Sequence, residues 1–556
     1  MRQKQIGRPS NRWKDAEHSV NGLSSGLSAD TVCFRVIPAA RGYDSVLSAD
    51  QCDIAMAKEN MMAELQLIAR AQSHGDAVAL RSDSGERTFS ELLDCSTSLA
   101  TTLLNAADDL KESRVAYLVP TGFDYITVQW AIWRAGGVAV PLSLSATEPE
   151  LEYALTDSAA HCVVTSRDFV RKVQTLCERL DLRLLVIEDV GLSDPGTLPV
   201  IDPHRRAMIL YTSGTTSKPK GVVTSHLNIQ AQIESLVEAW QWQASDSIPL
   251  FLPLHHIHGI INVMSCALWS GATIEAFPHF DTDTILNRVA AGAYSVFMAV
   301  PTIYVKLIQA LQCLGEHERA DVVSGFAGMR LMVSGSAALP ATIHEQWTAL
   351  TGQKLLERYG MTEIGMALSN PYDGERRPGS VGVSLPGVEV RLMSEAAELV
   401  DAEDEPGEIQ VQGPCVFVEY WNRPDVTADS FSDGWFCTGD IAVLENGYLR
   451  IMGRQSVDII KSGGYKLSAL EIEAALLQHP SIQECAVVGI PDDTWGEAVA
   501  AAAVLQGTDE LSSEDLKTWC DNRLSRYKIP RQLCIVDSLP RNAMGKVTKT
   551  AVRELF

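Results

Sequence analysis

From about residue 60 the chain alternates amphipathic windows with short apolar runs, a rhythm that predicts helices layered on parallel strands. The runs are Val115-Ala-Tyr-Leu-Val119, Gly137-Val-Ala-Val-Pro141, His161-Cys-Val-Val-Thr165 and Ala207 to Leu210. Met298-Ala-Val-Pro301 and Leu331-Met-Val-Ser334 continue the pattern. Each ends in a small or turn residue, at the carboxyl end of a strand where open α/β sheets form ligand sites. After Pro378 the texture changes to short strand-like pieces with frequent turns: Gly387-Val-Glu-Val-Arg391, Gly407-Glu-Ile-Gln-Val-Gln412 and Gly447-Tyr-Leu-Arg-Ile-Met452. These predict a small β subdomain. The stretch Gly453 to Gly464 then leads into a compact α+β tail, with strands near Ala486 to Val488 and Ala500 to Leu505. The expected organisation is a tail over 1–59, a large domain of layered α/β sheets with a β subdomain over 60–452, and a small mobile α+β domain over 453–556.

At 556 residues the chain exceeds one hydrophobic core, and its 46% hydrophobic and 21% charged residues are ordinary for a globular protein. The net charge of −24 argues against nucleic acid or an anionic membrane as partner, since both would repel it. The 12 cysteines form no CxxC pair, which indicates neither a zinc cluster nor a disulfide framework and fits a reducing compartment. No apolar run reaches the roughly 18 residues of a membrane span. Arg2, Lys4, Arg8, Arg12 and Lys14 precede the first acid, Asp15, and a Ser-rich stretch follows. This is the pattern of a mitochondrial presequence or of an untargeted disordered tail, so the expected location is mitochondrial or cytoplasmic.

The segment Tyr211-Thr-Ser-Gly-Thr-Thr-Ser-Lys-Pro-Lys-Gly221 follows a strand-like run and combines hydroxyls, glycines and lysines. Backbone N–H groups after Gly214 can form an anion-binding nest, and Thr212, Ser213, Thr215, Thr216 and Ser217 can donate to phosphate oxygens. Lys218 and Lys220, separated by Pro219, add compact positive charge. The Walker spacing is absent, because Gly214 and Gly221 are too far apart and Val222 follows the second glycine. Downstream, Leu355-Leu-Glu-Arg-Tyr-Gly-Met-Thr-Glu363 offers an aromatic face for adenine at Tyr359 and an oxygen ligand for Mg²⁺ at Glu363. On its own this segment could equally be a buried helix start. Asp440 in Trp435-Phe-Cys-Thr-Gly-Asp440 can accept from both ribose hydroxyls, with Arg454 reinforcing it, or can merely cap a turn. Lys546, in Leu539-Pro-Arg-Asn-Ala-Met-Gly-Lys546, is taken alone a solvated surface lysine.

In order and spacing these motifs resemble the adenylate-forming superfamily of acyl-CoA synthetases, peptide-synthetase adenylation domains and beetle luciferases. The resemblance implies that residues 212–220 and Ser336 contact ATP and that Tyr359 stacks on adenine. It further implies that Thr362 touches the α-phosphate, Glu363 helps bind magnesium, and Asp440 and Arg454 hold ribose. Lys546 then becomes the leading catalytic residue, bridging the substrate carboxylate and α-phosphate oxygens as negative charge builds. Ser217 departs from the family, which usually has glycine there.

In Leu252-Pro-Leu-His-His-Ile-His-Gly259, His255 suggests a structural role, whereas His256 and His258 match the segment that lines the acyl pocket in acyl-CoA synthetases. Imidazoles with an arginine such as Arg330 would suit a small dicarboxylate; Arg330 reads equally as a surface ion pair. The runs 252–259, 297–304, 330–340, 357–368 and 454–466 resemble malonyl-CoA synthetases, particularly the eukaryotic mitochondrial members. That implies activation of malonate, and less well methylmalonate, by MgATP to an acyl adenylate, then capture by CoA. It also implies rotation of the small domain about Gln455 to Asp458, which exchanges Lys546 for a face containing Gly463, Gly464 and Lys466. Alternatives are a ligase for a medium-chain, aryl or other small acid, or a non-catalytic nucleotide-binding protein.

Overall fold

The computed structural model describes residues 65–191, 196–212, 219–463, 465–492, 494–507, 510–521, 523–541 and 547–556. The expected N-terminal tail, residues 213–218 of the phosphate loop, Gly464 and Lys546 lie outside the described residues.

The apolar runs become strands buried on both faces. Val138–Pro141, Arg114–Leu118, Cys162–Thr165 and Arg183–Val186 run parallel in a seven-stranded sheet, with Arg206–Thr212 beside Val138–Pro141. Because successive side chains point to opposite faces, Val115 and Tyr117 enter one hydrophobic cluster while Ala116 and Leu118 enter another. This doubly covered state explains why the runs are apolar throughout rather than alternating. Helices on the faces start at local caps: Thr88 and Glu91 form a reciprocal capping box before Phe89–Leu104, and Ser225 with Asn228 does the same before His226–Ala239.

A second sheet of five strands, in the order Val296–Ala299, Leu331–Ser334, Leu356–Met361, Gly365–Ser369 and Val383–Ser384, has its first three strands parallel. The segment around Tyr359 is thus a strand, not a helix start, and turns back at 361–365 into an antiparallel partner. Gly360 is required there, since a Cβ on it would meet the Gly365 carbonyl oxygen at 2.0 Å. The turn-rich region after Pro378 forms an antiparallel six-stranded sheet that includes Trp435–Glu445 and Tyr448–Arg454. Asp440 lies inside that long strand rather than at a free turn. The next strand, Ile459–Ser462, belongs to a different sheet, built with Tyr465–Ser468, Gly496–Leu505, Ile482–Asp492 and Gln532–Ile535. Residues 455–458 therefore link two sheets, and Ile459 of the second packs with Ile441, Val443 and Met452 of the first.

Candidate active site

Three parallel strands of the five-stranded sheet end side by side, with Val333 paired to Leu356 and Ser334 to Glu357. Past the carboxyl end of Leu331–Ser334 the chain turns through Gly335 and Ser336, the latter at φ +70°, a left-handed conformation that non-glycine residues adopt at a cost of roughly 1–3 kcal/mol. Arg358 sits opposite this turn. A Cβ at Gly335 would meet its guanidinium carbon at 2.5 Å, so the glycine makes room for the arginine. Arg358 is 4% exposed, and its Nη2 donates to Ser336 Oγ at 3.3 Å. Ser336 Oγ lies 3.1 Å from His258 Nδ1.

This cluster is a buried cation with incomplete partners. Arg358 Nε, His258 Nε2 and Ser334 Oγ are all buried without a hydrogen-bond partner. Burial pulls the guanidinium down to about 9, which leaves it cationic at neutral pH. Burial first, then Arg358 and His256, hold His258 well below the ordinary imidazole value, so it is neutral. Arginine can only donate, so Ser336 Oγ accepts from it and can pass its own proton to His258 Nδ1; Nε2–H then remains as a donor. Two buried, unpartnered donors beside one unmatched charge are suited to a small carboxylate.

The histidine segment is positioned from beneath. Tyr117 OH donates to Tyr125 OH at 2.9 Å, and Tyr125 OH donates in turn to the Leu254 carbonyl. Residues His258–Ser265 form a π-helix, a form that recurs at functional sites. The rings of His255 and His256 lie 4.1 Å apart, and burial lowers His255 to about 4. Of the three, His258 joins Ser336, which also accepts from Arg358.

Arg330 is not brought to this cluster. It stands at the amino end of Leu331–Ser334, the opposite end from Ser336, and is saturated by Asp246: Nε reaches Oδ1 at 2.7 Å, Nη2 pairs with Oδ2, and Nη1 donates to the Trp240 carbonyl at 3.0 Å. The pair is largely buried, with side chains 18% and 2% exposed, so its role is to hold the sheet. Replacing Arg330 by Met leaves Asp246 buried without its main partner and is expected to cost about 3–5 kcal/mol in urea unfolding, while the KM for the acid stays unchanged in the folded fraction. The arginine beside Ser336 and His258 is instead Arg358, which residue pattern alone did not single out, because Glu357 and Arg358 are adjacent and only the strand's alternation assigns them to opposite faces.

That alternation also places Tyr359 away from Arg358. Tyr359 OH donates to Asp440 Oδ2 at 2.6 Å, and Arg454 Nε donates to Asp440 Oδ1 at 3.0 Å. Asp440 and Arg454 are directly paired across their two strands. Glu363 is 6% exposed and accepts from Tyr420 OH at 2.9 Å, with burial as the main cause of its raised carboxyl value. Lys220 Nζ lies 4.8 Å from the Tyr420 ring centroid, which brings one end of the segment 212–220 next to Glu363. Thr212 Oγ1, at the other end, donates to the Lys220 carbonyl at 3.5 Å, and Tyr153 OH donates to the Pro219 carbonyl, next to Lys220, at 2.7 Å. Thr362 is half-buried in the turn before Glu363. Among the described residues no group of three or more His, Cys, Asp and Glu can hold a metal ion. A cation beside Glu363 would take most of its ligands from phosphate and water, the habit of Mg²⁺. On the far hairpin Lys466 pairs with Glu395 at 3.1 Å, and Gly463, at φ +58°, packs on Trp495.

Residues 67–421 match the AMP-binding enzyme family and residues 471–546 match the AMP-binding enzyme C-terminal domain. The chain is 44% identical over 519 residues to a mitochondrial malonate–CoA ligase of Mus musculus, covering 86% of this chain and 88% of that protein. It is 37% identical to a malonate–CoA ligase of Arabidopsis thaliana, covering 87% of each. Among solved structures, ATP-bound MatB from Rhodopseudomonas palustris superposes with a TM-score of 0.80 at 32% identity, covering 88% of this chain and 98% of that one.

Proposed function

Since this chain belongs to the AMP-binding enzyme family, we propose that it is an AMP-forming acid–CoA ligase that converts malonate, and less well methylmalonate, to the CoA thioester. The observation that carries the acid's identity is the buried pair Arg358 and His258, joined through the exposed Ser336, on the face of the strand opposite Tyr359 and Asp440. A dicarboxylate can place one carboxylate against Arg358 and present the other toward the nucleotide. That second carboxylate attacks the α-phosphate of ATP: an acyl O–P bond forms and the bond to pyrophosphate breaks. CoA thiolate then attacks the acyl carbon, a C–S bond forms, and AMP leaves.

In this reading Tyr359 faces adenine, Asp440 and Arg454 hold ribose, and residues 212–220 cradle the phosphates. Thr362 contacts the α-phosphate, and Lys546 stabilises charge developing between acid and phosphate. Glu363 holds Mg²⁺, which when bound neutralises phosphate charge. Gly463, Gly464 and Lys466 serve the thioester step once the small domain has rotated about 455–458. A mitochondrial location follows the mouse relative.

The test is CoA-dependent AMP formation with malonate, methylmalonate, succinate, acetate, octanoate and benzoate. A site whose buried cation goes unpaired without a second carboxylate should disfavour acetate by on the order of 10⁴-fold, whereas the extra methyl of methylmalonate should cost about 10- to 200-fold. A monocarboxylate leading the panel would discard malonate and keep the ligase chemistry.

A further inference from the structure

We propose that Lys549 is a positioning residue for the adenylation step, because its ammonium ties Asp458, at the link between the two domains, to Glu473 in the small-domain core. This rests on the two-step reading above.

Lys549 Nζ lies 3.1 Å from Asp458 Oδ1, pairs with Glu473 Oε1, and donates to the Val487 carbonyl at 2.8 Å. All three side chains are nearly buried, at 11%, 14% and 14% exposed. Burial alone would pull the ammonium down, but the two carboxylates more than offset it, and its value is held above the ordinary one. Asp458 carries the connection onward: its Oδ2 accepts from the Arg454 backbone N–H at 3.0 Å, and its carbonyl accepts from Ala469 N–H at 2.8 Å. The approach is close enough that a Cβ on Gly453, at φ +129°, would meet the Asp458 Cβ at 2.4 Å. Arg454 in turn grips Asp440, so a continuous line of polar contacts runs from the ribose carboxylate through the link to Lys549.

Lys549 also opens the last helix, Lys549–Arg553, just after residues 542–546. The chain on either side of those residues is clamped together: Arg541 and Val547 form an antiparallel bridge, and Thr548 N–H donates to the Pro540 carbonyl at 2.9 Å. Arg541 Nη2 is fixed to Glu484 at 2.6 Å. One ammonium therefore sets the position of both the link and the base of the segment that includes Lys546. Stability alone does not call for such an arrangement, since a buried ion network is often replaceable by apolar groups without loss.

The experiment uses the full-length enzyme with Lys549→Ala, Lys549→Arg and Glu473→Gln. Malonate-dependent ATP–pyrophosphate exchange reads adenylation, and CoA capture of supplied malonyl adenylate reads the second step. A misplacement of about 1 Å can cost on the order of 10²-fold, so Lys549→Ala should lower exchange at saturating ATP by about 10- to 100-fold. The KM for ATP and the capture rate should stay within about threefold, and Lys549→Arg, which can span both carboxylates, should recover most of the loss. Equal loss in both half-reactions without rescue by Arg, or no loss at all, overturns the proposal. If Lys549→Ala does not fold, Glu473→Gln decides: the same split at smaller size is expected, and an unchanged ratio of the two rates overturns it. Wild-type exchange with another acid in place of malonate would sink the malonate reading alone and leave the comparison to be made on that acid. No exchange with any acid would sink both.

Discussion

Arg358→Leu is expected to reduce kcat/KM for malonate by on the order of 10³-fold or more while leaving the protein folded, measured by AMP formation beside thermal unfolding. The guanidinium is 4% exposed, its Nε has no partner, and Ser336 is its one described hydrogen-bond contact. It meets the cost of desolvation without an anion to offset it, so an apolar side chain of similar reach should be neutral or stabilising for the fold. The loss should instead appear when malonate is present, since its second carboxylate would then be buried against leucine. Acetate, which has no second carboxylate, should lose little or improve, and the ratio of malonate to acetate activity should collapse. Malonate turnover within threefold of wild type would remove Arg358 from the acid site and with it the main physical argument for a dicarboxylate. The Arg330→Met variant serves as the contrast: its arginine is already neutralised by Asp246, so its effect should fall on stability.

Lys546→Ala should be as severe in a different place. Its ammonium is proposed to meet the negative charge that builds between the attacking carboxylate and the α-phosphate, an interaction stronger in the transition state than in the ground state. Pyrophosphate exchange should therefore fall by on the order of 10²- to 10³-fold with little change in the KM for ATP. CoA capture of supplied malonyl adenylate should be spared, because the phosphoryl chemistry is already complete. Equal damage to both half-reactions would end that division of labour. This outcome also differs from that of Lys549, whose loss should be smaller and recoverable by arginine.

Much of this is legible in the sequence. The layered α/β domain follows from apolar runs such as 115–119 and 161–165, because a strand covered on both faces must be apolar at every position. The later β subdomain follows from turn density after Pro378. Tyr359, Asp440 and Arg454 were each nameable from their motifs, although not the direct contacts among them. Other features were beyond local pattern. Residues 355–363 had no periodicity that separates strand from helix, and only the parallel pairing of Val333 with Leu356 decides it. Arg330 and Arg358 are alike as bare arginines near motifs, and their surroundings differ because one lies at the amino end of its strand against Asp246 and the other at a carboxyl end beside Ser336.

The order of motifs along the chain was by itself enough to carry the resemblance to the family, and through it the expected nucleotide chemistry and class of reaction, since the motifs are residue types held at short spacing. Tertiary structure alone decided which arginine lies beside Ser336 and His258, and how Asp458, Glu473 and Lys549 come to share one buried charge network. Those juxtapositions join residues tens to hundreds of positions apart, and strand register, burial and the alternation of side chains across a sheet exist only once the chain has folded.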